Sequence, residues 1–113
     1  MPAYGGGELQ PMKPHKPYYA VIFTNTRTEG DFGYSEMAIK MEELAKEQPG
    51  YLGFESARDG LGISISYWDS LEAIARWKAN TDHLMAQAAG VRTWYSWYKV
   101  RVCTVEREYE FNR

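Results

Sequence analysis

The sequence predicts one α+β domain of β-α-β-β-α-β plan, a four-stranded antiparallel sheet with two helices on one face. Three observations lead there. Apolar residues recur with period two, then three and four, then two, two, three and four, and two along the chain. Gly, Pro and Asp clusters punctuate those segments. A length of 113 residues leaves room for one hydrophobic core and no second.

The elements follow in order. Residues 1–17 hold four of the five prolines and a Gly triplet. Proline removes backbone donors and glycine is costly to order, so this segment reads as a flexible arm ahead of a domain over 18–113. His15, between Lys13, Pro14 and Lys16, reads as a solvated residue of that arm. Residues 18–27, YYAVIFTNTR, are β-branched and aromatic without a breaker and form a strand. After the turn cluster 29–33, Met37, Ala38, Met41, Leu44 and Ala45 mark one face of a helix from Tyr34 to Glu47. Gln48-Pro49-Gly50 stops it.

Tyr51 to Arg58 and Gly62 to Trp68 read as strands joined at Asp59-Gly60, a tight hairpin signal. Ile63, Ile65 and Tyr67 alternate with Ser64 and Ser66, which predicts one buried face. Asp69-Ser70 offers an N-cap and Glu72 an acidic first turn for a helix that begins at Leu71. Asn80 to Asp82 are expected to break or kink it, with His83 to Ala89 continuing to Gly90. Trp94 to Phe111 reads as a long final strand. Apolar side chains occupy both alternating sets of the strands. Covering both faces predicts a two-fold homodimer.

Composition narrows the function. Thirteen basic and fifteen acidic residues give a net charge of −2, which offers no footprint for nucleic acid or an anionic membrane. No apolar run approaches the roughly 20 residues of a membrane span, and no signal-peptide pattern opens the chain, so a cytoplasmic location is expected. The single Cys103 excludes an internal disulfide framework and a cysteine zinc site, and reads as a packed small residue. No metal and no cofactor are expected, because phosphate-binding, dinucleotide, zinc and Ser-His-Asp patterns are all missing. Aromatics stand out at 15%.

The segment SYWDSLEAIARWK (66–78), followed by His83, Gln87 and Trp94-Tyr95, together with QPGYLGFESARD (48–59), resembles the antibiotic biosynthesis monooxygenase family. The resemblance covers residues 18–109 and implies a dimeric α+β barrel of two ferredoxin-like subunits. Members are cofactor-free oxygenases that form quinones, heme-degrading enzymes and small proteins without an assigned reaction. In the heme-degrading members an Asn on the first strand, a Trp on the second helix and a His further along carry the site. Asn25 and Trp77 match the first two; at the third this chain has Gln87 or a neighbour, and His83 lies six residues beyond Trp77.

Several residues admit two readings. Trp94, Tyr95, Trp97 and Tyr98 serve either core and interface packing or the wall of a flat apolar cavity for an aromatic ligand. Trp68 and Trp77 are open in the same way. His83 is either a solvated helix residue or a pocket base, since imidazole titrates near neutrality. Asn25 is either a satisfied turn residue or a donor amide for a substrate carbonyl or an oxygen intermediate. Arg58, Arg92 and Arg101 read as surface or ion-pair residues. The resulting expectation is an oxygenase for a small aromatic or polyphenolic substrate. His83 and Asn25 would be catalytic, and Trp68, Trp77, Trp94 and Tyr95 would line the pocket. A non-catalytic or stress-related binding module and a heme protein are the alternatives.

Overall fold

A computed structural model of the chain describes residues 16–88 and 91–113, without the side chains of residues 86–88, 91 and 92. The elements are β1 (Tyr18–Arg27), α1 (Tyr34–Lys46), β2 (Tyr51–Asp59), β3 (Leu61–Trp68), α2 (Leu71–Ala88), the one-turn α3 (Val91–Trp94) and β4 (Tyr95–Val105). The strands form one antiparallel sheet in the order β2-β3-β1-β4. This is the ferredoxin-like arrangement the periodicity predicts. The proposed arm lies almost wholly in residues 1–15, outside the described residues, as does His15.

Sequence chemistry accounts for the junctions. Asp31 caps the start of α1, accepting from Gly33 N and Ser35 N at 3.2 Å each and from the Ser35 hydroxyl at 2.5 Å. These bonds favour the ionised form and hold the Asp31 carboxyl below its ordinary range. Gly50 sits at φ +89°, where a Cβ would strike Asp69 and Ala73, so glycine is required where β2 begins against the start of α2. Asp69 N donates to Gly50 O at 2.8 Å across that junction. Ser70 Oγ accepts from Ala73 N at 3.1 Å and caps α2.

The core lies between β3, β1 and the two helices. Ala45, Trp68, Ala73 and Ile74 form its centre, with Tyr19, Val21, Tyr51 and Trp77 packed around them. Trp68 is wholly buried, and its indole N–H donates to Ser66 Oγ at 2.9 Å, so its one polar atom is satisfied. Trp77 stacks on it at 5.8 Å between ring centroids, and Tyr51 meets it edge-on at the same separation.

The structure departs from the sequence-based expectation at four places. First, α2 is continuous through Asn80–Asp82. Lys78 pairs with Asp82 one turn on at 2.6 Å, Thr81 Oγ1 donates to Lys78 O at 2.9 Å, and Asn80 Nδ2 donates to Gln48 Oε1 at 3.1 Å. Side-chain bonds of these kinds outweigh the weak helix preference of Asn, Thr and Asp. Second, Trp94 ends α3 instead of opening the strand, and its carbonyl accepts from Thr28 N at 3.1 Å. Third, β4 stops at Val105 because its partner β1 begins opposite, at Tyr18.

Fourth, the alternating strand is inverted. Trp68, Ser66, Ser64 and Gly62 pair with Tyr19, Val21, Phe23 and Asn25 on the helix-covered face. Leu61, Ile63, Ile65 and Tyr67 therefore lie on the opposite face, where among the described residues no helix packs and Ile63 is 40% exposed. Small polar side chains leave room beneath the helices for the large rings of Trp68 and Trp77. Among the described residues no helix is long and apolar enough to cross a membrane.

Candidate functional site

One row of residues crosses the whole sheet: Arg58 on β2, Gly62 on β3, Asn25 on β1 and Tyr98 on β4 are register partners on the helix-covered face. Asn25 is 1% exposed. The Arg58 guanidinium lies across Gly62, where any Cβ would collide with it, and its Nη2 donates to Asn25 Oδ1. A guanidinium has only donors, so the amide oxygen must face it, and the amide N–H groups are the donor end of Asn25. A second guanidinium nitrogen, Nη1, donates to Gly60 O at 3.3 Å.

A bulge in β4 shapes the neighbouring aromatic wall. Trp97 pairs with Thr26 but Tyr95 pairs with Arg27, which leaves Ser96 as the extra residue. Simple alternation would put Tyr95 and Tyr98 on opposite faces. The bulge brings both against Phe23, at 5.3 and 5.5 Å between centroids, and 5.9 Å from each other. Tyr34 at the start of α1 closes on Tyr95 at 5.8 Å and on Trp94 at 6.2 Å. Arg27 lies 3.5 Å above the Tyr34 ring, and its Nε donates to Trp94 O at 2.9 Å. Burial, followed by the charge of the neighbouring Tyr34, pushes the Tyr95 phenol up, against a smaller opposing pull from Arg27 and Arg58. Tyr95 is therefore a neutral hydroxyl at neutral pH. From this wall, Tyr98, Val100 and Val102 continue along β4 as an exposed apolar strip on the helix side, each 46 to 52% exposed.

The sequence-predicted residues fall into three places. Asn25 and Tyr95 lie at the same end of the sheet, Asn25 opposite Tyr98 and Tyr95 opposite Arg27. Trp94 stands behind them, 4% exposed, its indole N–H donating to Phe32 O at 2.9 Å. Trp68 and Trp77 lie in the core between β3 and α2. His83 is exposed on α2. The buried side of α2 carries Ala73, Ile74, Trp77, Thr81, Leu84 and Met85, and in a continuous helix His83 lies roughly 140° round from the middle of that stripe. The side chain of Gln87, its expected companion, lies outside the described residues. Among the described residues no three His, Cys, Asp or Glu gather as a metal site.

Arg58, expected as a surface or ion-pair residue, and Tyr34 are residues of this end of the sheet that no sequence motif marks. Gly62 carried a signal: a glycine inside a β-branched strand marks a close approach by another group.

The fold is that of the antibiotic biosynthesis monooxygenases. The chain is similar to the structure of SnoaB, a cofactor-independent oxygenase from Streptomyces nogalater, with a TM-score of 0.67 at 15% identity over 82% of this chain and 97% of that one. A Pseudomonas aeruginosa protein of this fold gives 0.60 at 19% identity, over 82% of this chain and 96% of its own. A MhuD variant with two manganese protoporphyrin IX molecules per active site gives 0.57 at 23% identity, over 80% and 96%. No protein-family model matches the sequence. Sequence identity is much higher to the uncharacterized protein YqjZ of Bacillus subtilis strain 168: 50% over 97 residues, covering 84% of this chain and 85% of that protein. The chain belongs to the family of YqjZ.

Proposed function

We propose that the chain is a homodimeric oxygenase that acts on a small aromatic substrate without a cofactor. The observation that carries this reading is the junction of the Phe23, Tyr95 and Tyr98 rings with the polar end formed by Asn25 and Arg58. Flat rings offer stacking surface, and a buried amide beside a guanidinium offers donors for an oxygen that becomes negative. The likeness in fold to SnoaB, a cofactor-independent oxygenase, favours oxygen chemistry at this site.

The chemistry is short. A phenol or a ring carbon acid gives up a proton, and its anion passes one electron to O₂. The radical and superoxide join in a carbon–oxygen bond, the peroxide anion takes back a proton from water, and the hydroperoxide loses water to leave a quinone carbonyl. One oxygen atom ends in the product and the other in water. The protein's share is to favour the anion, orient it and exclude water. In this reading Asn25 donates to the developing oxyanion, Tyr95 and Trp94 form the wall, and Trp68 and Trp77 hold α2 on the sheet. His83, on the outer side of α2, is not required for the proton step.

The sheet face that no described helix covers supports the dimer. Leu61, Ile63, Ile65 and Ile22 form an apolar field there, and packing it on a second copy removes it from water. Oxygen uptake with a panel of hydroquinones and anthrones tests the reading. Uptake with at least one member supports it, and uptake with none overturns it. Hemin, added separately and followed by its visible spectrum, tests the heme alternative; a ligand-shifted Soret band would favour that instead.

A further inference from the structure

We propose that Arg58 is an anion-recognition residue, so that the site selects aromatic ligands bearing an ionised oxygen, a phenolate or a carboxylate. This rests on the reading of the Asn25 end of the sheet as an aromatic-ligand site, and adds the substrate's charge to it.

Three features of this chain lead to the assignment. The first is neutral anchoring. Both partners of the Arg58 guanidinium are uncharged, Asn25 Oδ1 and Gly60 O, and Arg58 joins no ion pair among the described residues. Two of its five N–H groups are used, and its positive charge is not cancelled at short range. An arginine serving only structure at an exposed strand end is ordinarily neutralised by a nearby carboxylate or left to wander in water. Here the side chain is fixed without losing its charge.

The second feature is the space cleared for it. Gly62 interrupts β3 where a side chain would lift the guanidinium off the sheet. The cost of a strand glycine is met at the one position where Arg58 must cross to reach β1. The third feature is the setting. The charged and titratable groups around this end include Arg27, Tyr34, Tyr95 and Tyr98, with Lys78 of α2 acting on Tyr98 but already paired with Asp82, and both arginines bring positive charge toward the Tyr95 hydroxyl. Arg27 is partly balanced by Asp31. Arg58 is the cation left for a ligand, and a fork of donors suits a planar oxyanion attached to a ring.

The consequence is chemical. A phenol bound against Arg58 becomes a stronger acid, because the guanidinium favours its ionised form. The reactive anion then forms by releasing its proton to water, without a side-chain base at this end of the sheet, which fits the outward position of His83.

para-Nitrophenol reports this directly, since its phenolate is yellow and its acid colourless. It is titrated with the full-length protein at a pH equal to its own pKa in water, with nitrobenzene as the neutral comparison. The expected result is a rise in the yellow form on binding with the native chain, and none with Arg58→Gln. Affinity for the phenolate should fall about tenfold to a hundredfold in that variant, the worth of a hydrogen bond to a charged group, while nitrobenzene affinity holds. Gly62→Ala should reproduce the loss by displacing the guanidinium, and circular dichroism confirms that it folds. Binding of both probes with no rise in phenolate, or a rise that survives Arg58→Gln, overturns the assignment and leaves the aromatic site standing. Binding of neither probe overturns the aromatic site and this assignment together.

Discussion

Arg58 reaches across the Cα of Gly62 to donate to Asn25, joining the outer strand of the sheet to the inner one through the only position on β3 that has no side chain in the way. This contact orients a buried amide and fixes a cation beside a ring cluster.

Asn25 is the first point of test. Asn25→Ala removes the donor amide and releases Arg58. Turnover of any oxidised substrate should drop by about 10²-fold, the lower end for loss of an oxyanion donor. Asn25→Asp should pair with Arg58 and cancel its charge, with a loss at least as large. Steady-state oxygen consumption reads both, and activity retained in the alanine variant would remove Asn25 from the site.

Trp68 and His83 should behave oppositely. Trp68 is wholly buried and bonded to Ser66, so Trp68→Ala should cost about 3–5 kcal/mol in urea unfolding. His83→Ala, on an exposed helix surface, should change stability by under about 0.5 kcal/mol and keep the native rate. Loss of activity in a folded His83→Ala protein would restore the imidazole as the base.

The open sheet face should hold the dimer. Sedimentation at micromolar concentration is expected to give twice the chain mass. Ile65→Lys, in the middle of that face, should yield a monomer, because an unpaired ammonium in an apolar interface is costly to desolvate. A native monomer, or a dimer indifferent to this substitution, would place the interface elsewhere.

Tyr18 carries a pH signature. Its hydroxyl donates to Glu108, and that bond, followed by burial, pushes its pKa up from 10.0 to about 12. Because the folded value is raised, the Tyr18–Glu108 contact contributes fully below pH 10 and is lost as pH rises towards 12. Ultraviolet phenolate titration of the native chain against Tyr18→Phe should show one tyrosine missing from the most alkaline part of the curve. A difference centred near pH 10 would mean that Glu108 does not hold it.

Much of the fold was legible because its signals are local. The period of Met37, Met41 and Leu44, the stop at Pro49-Gly50 and the Ser70 cap each depend on a few neighbouring residues. Ile63, Ile65 and Tyr67 announced a strand with two unlike faces. Which face meets the helices was not written in β3, because it depends on the volumes of Trp68 and Trp77 brought over it. The site was less legible for the same reason. Asn25 could be singled out as a polar residue ending an apolar strand. Arg58, 33 residues away, joins it only through strand register. Tyr95 and Tyr98 share a face only because Ser96 bulges. The Asn80–Asp82 kink failed because helix preferences of single residues are small beside the side-chain bonds that hold that turn.

The most direct test of the oxygenase reading is isotopic. The native protein is incubated under ¹⁸O₂ with whichever phenol or anthrone it consumes, and the product is weighed by mass spectrometry. The account predicts one labelled oxygen atom per quinone formed, no added cofactor required, and a rate that collapses in Asn25→Ala. An unlabelled product, or labelling at the same rate with the Asn25→Ala protein, would contradict it.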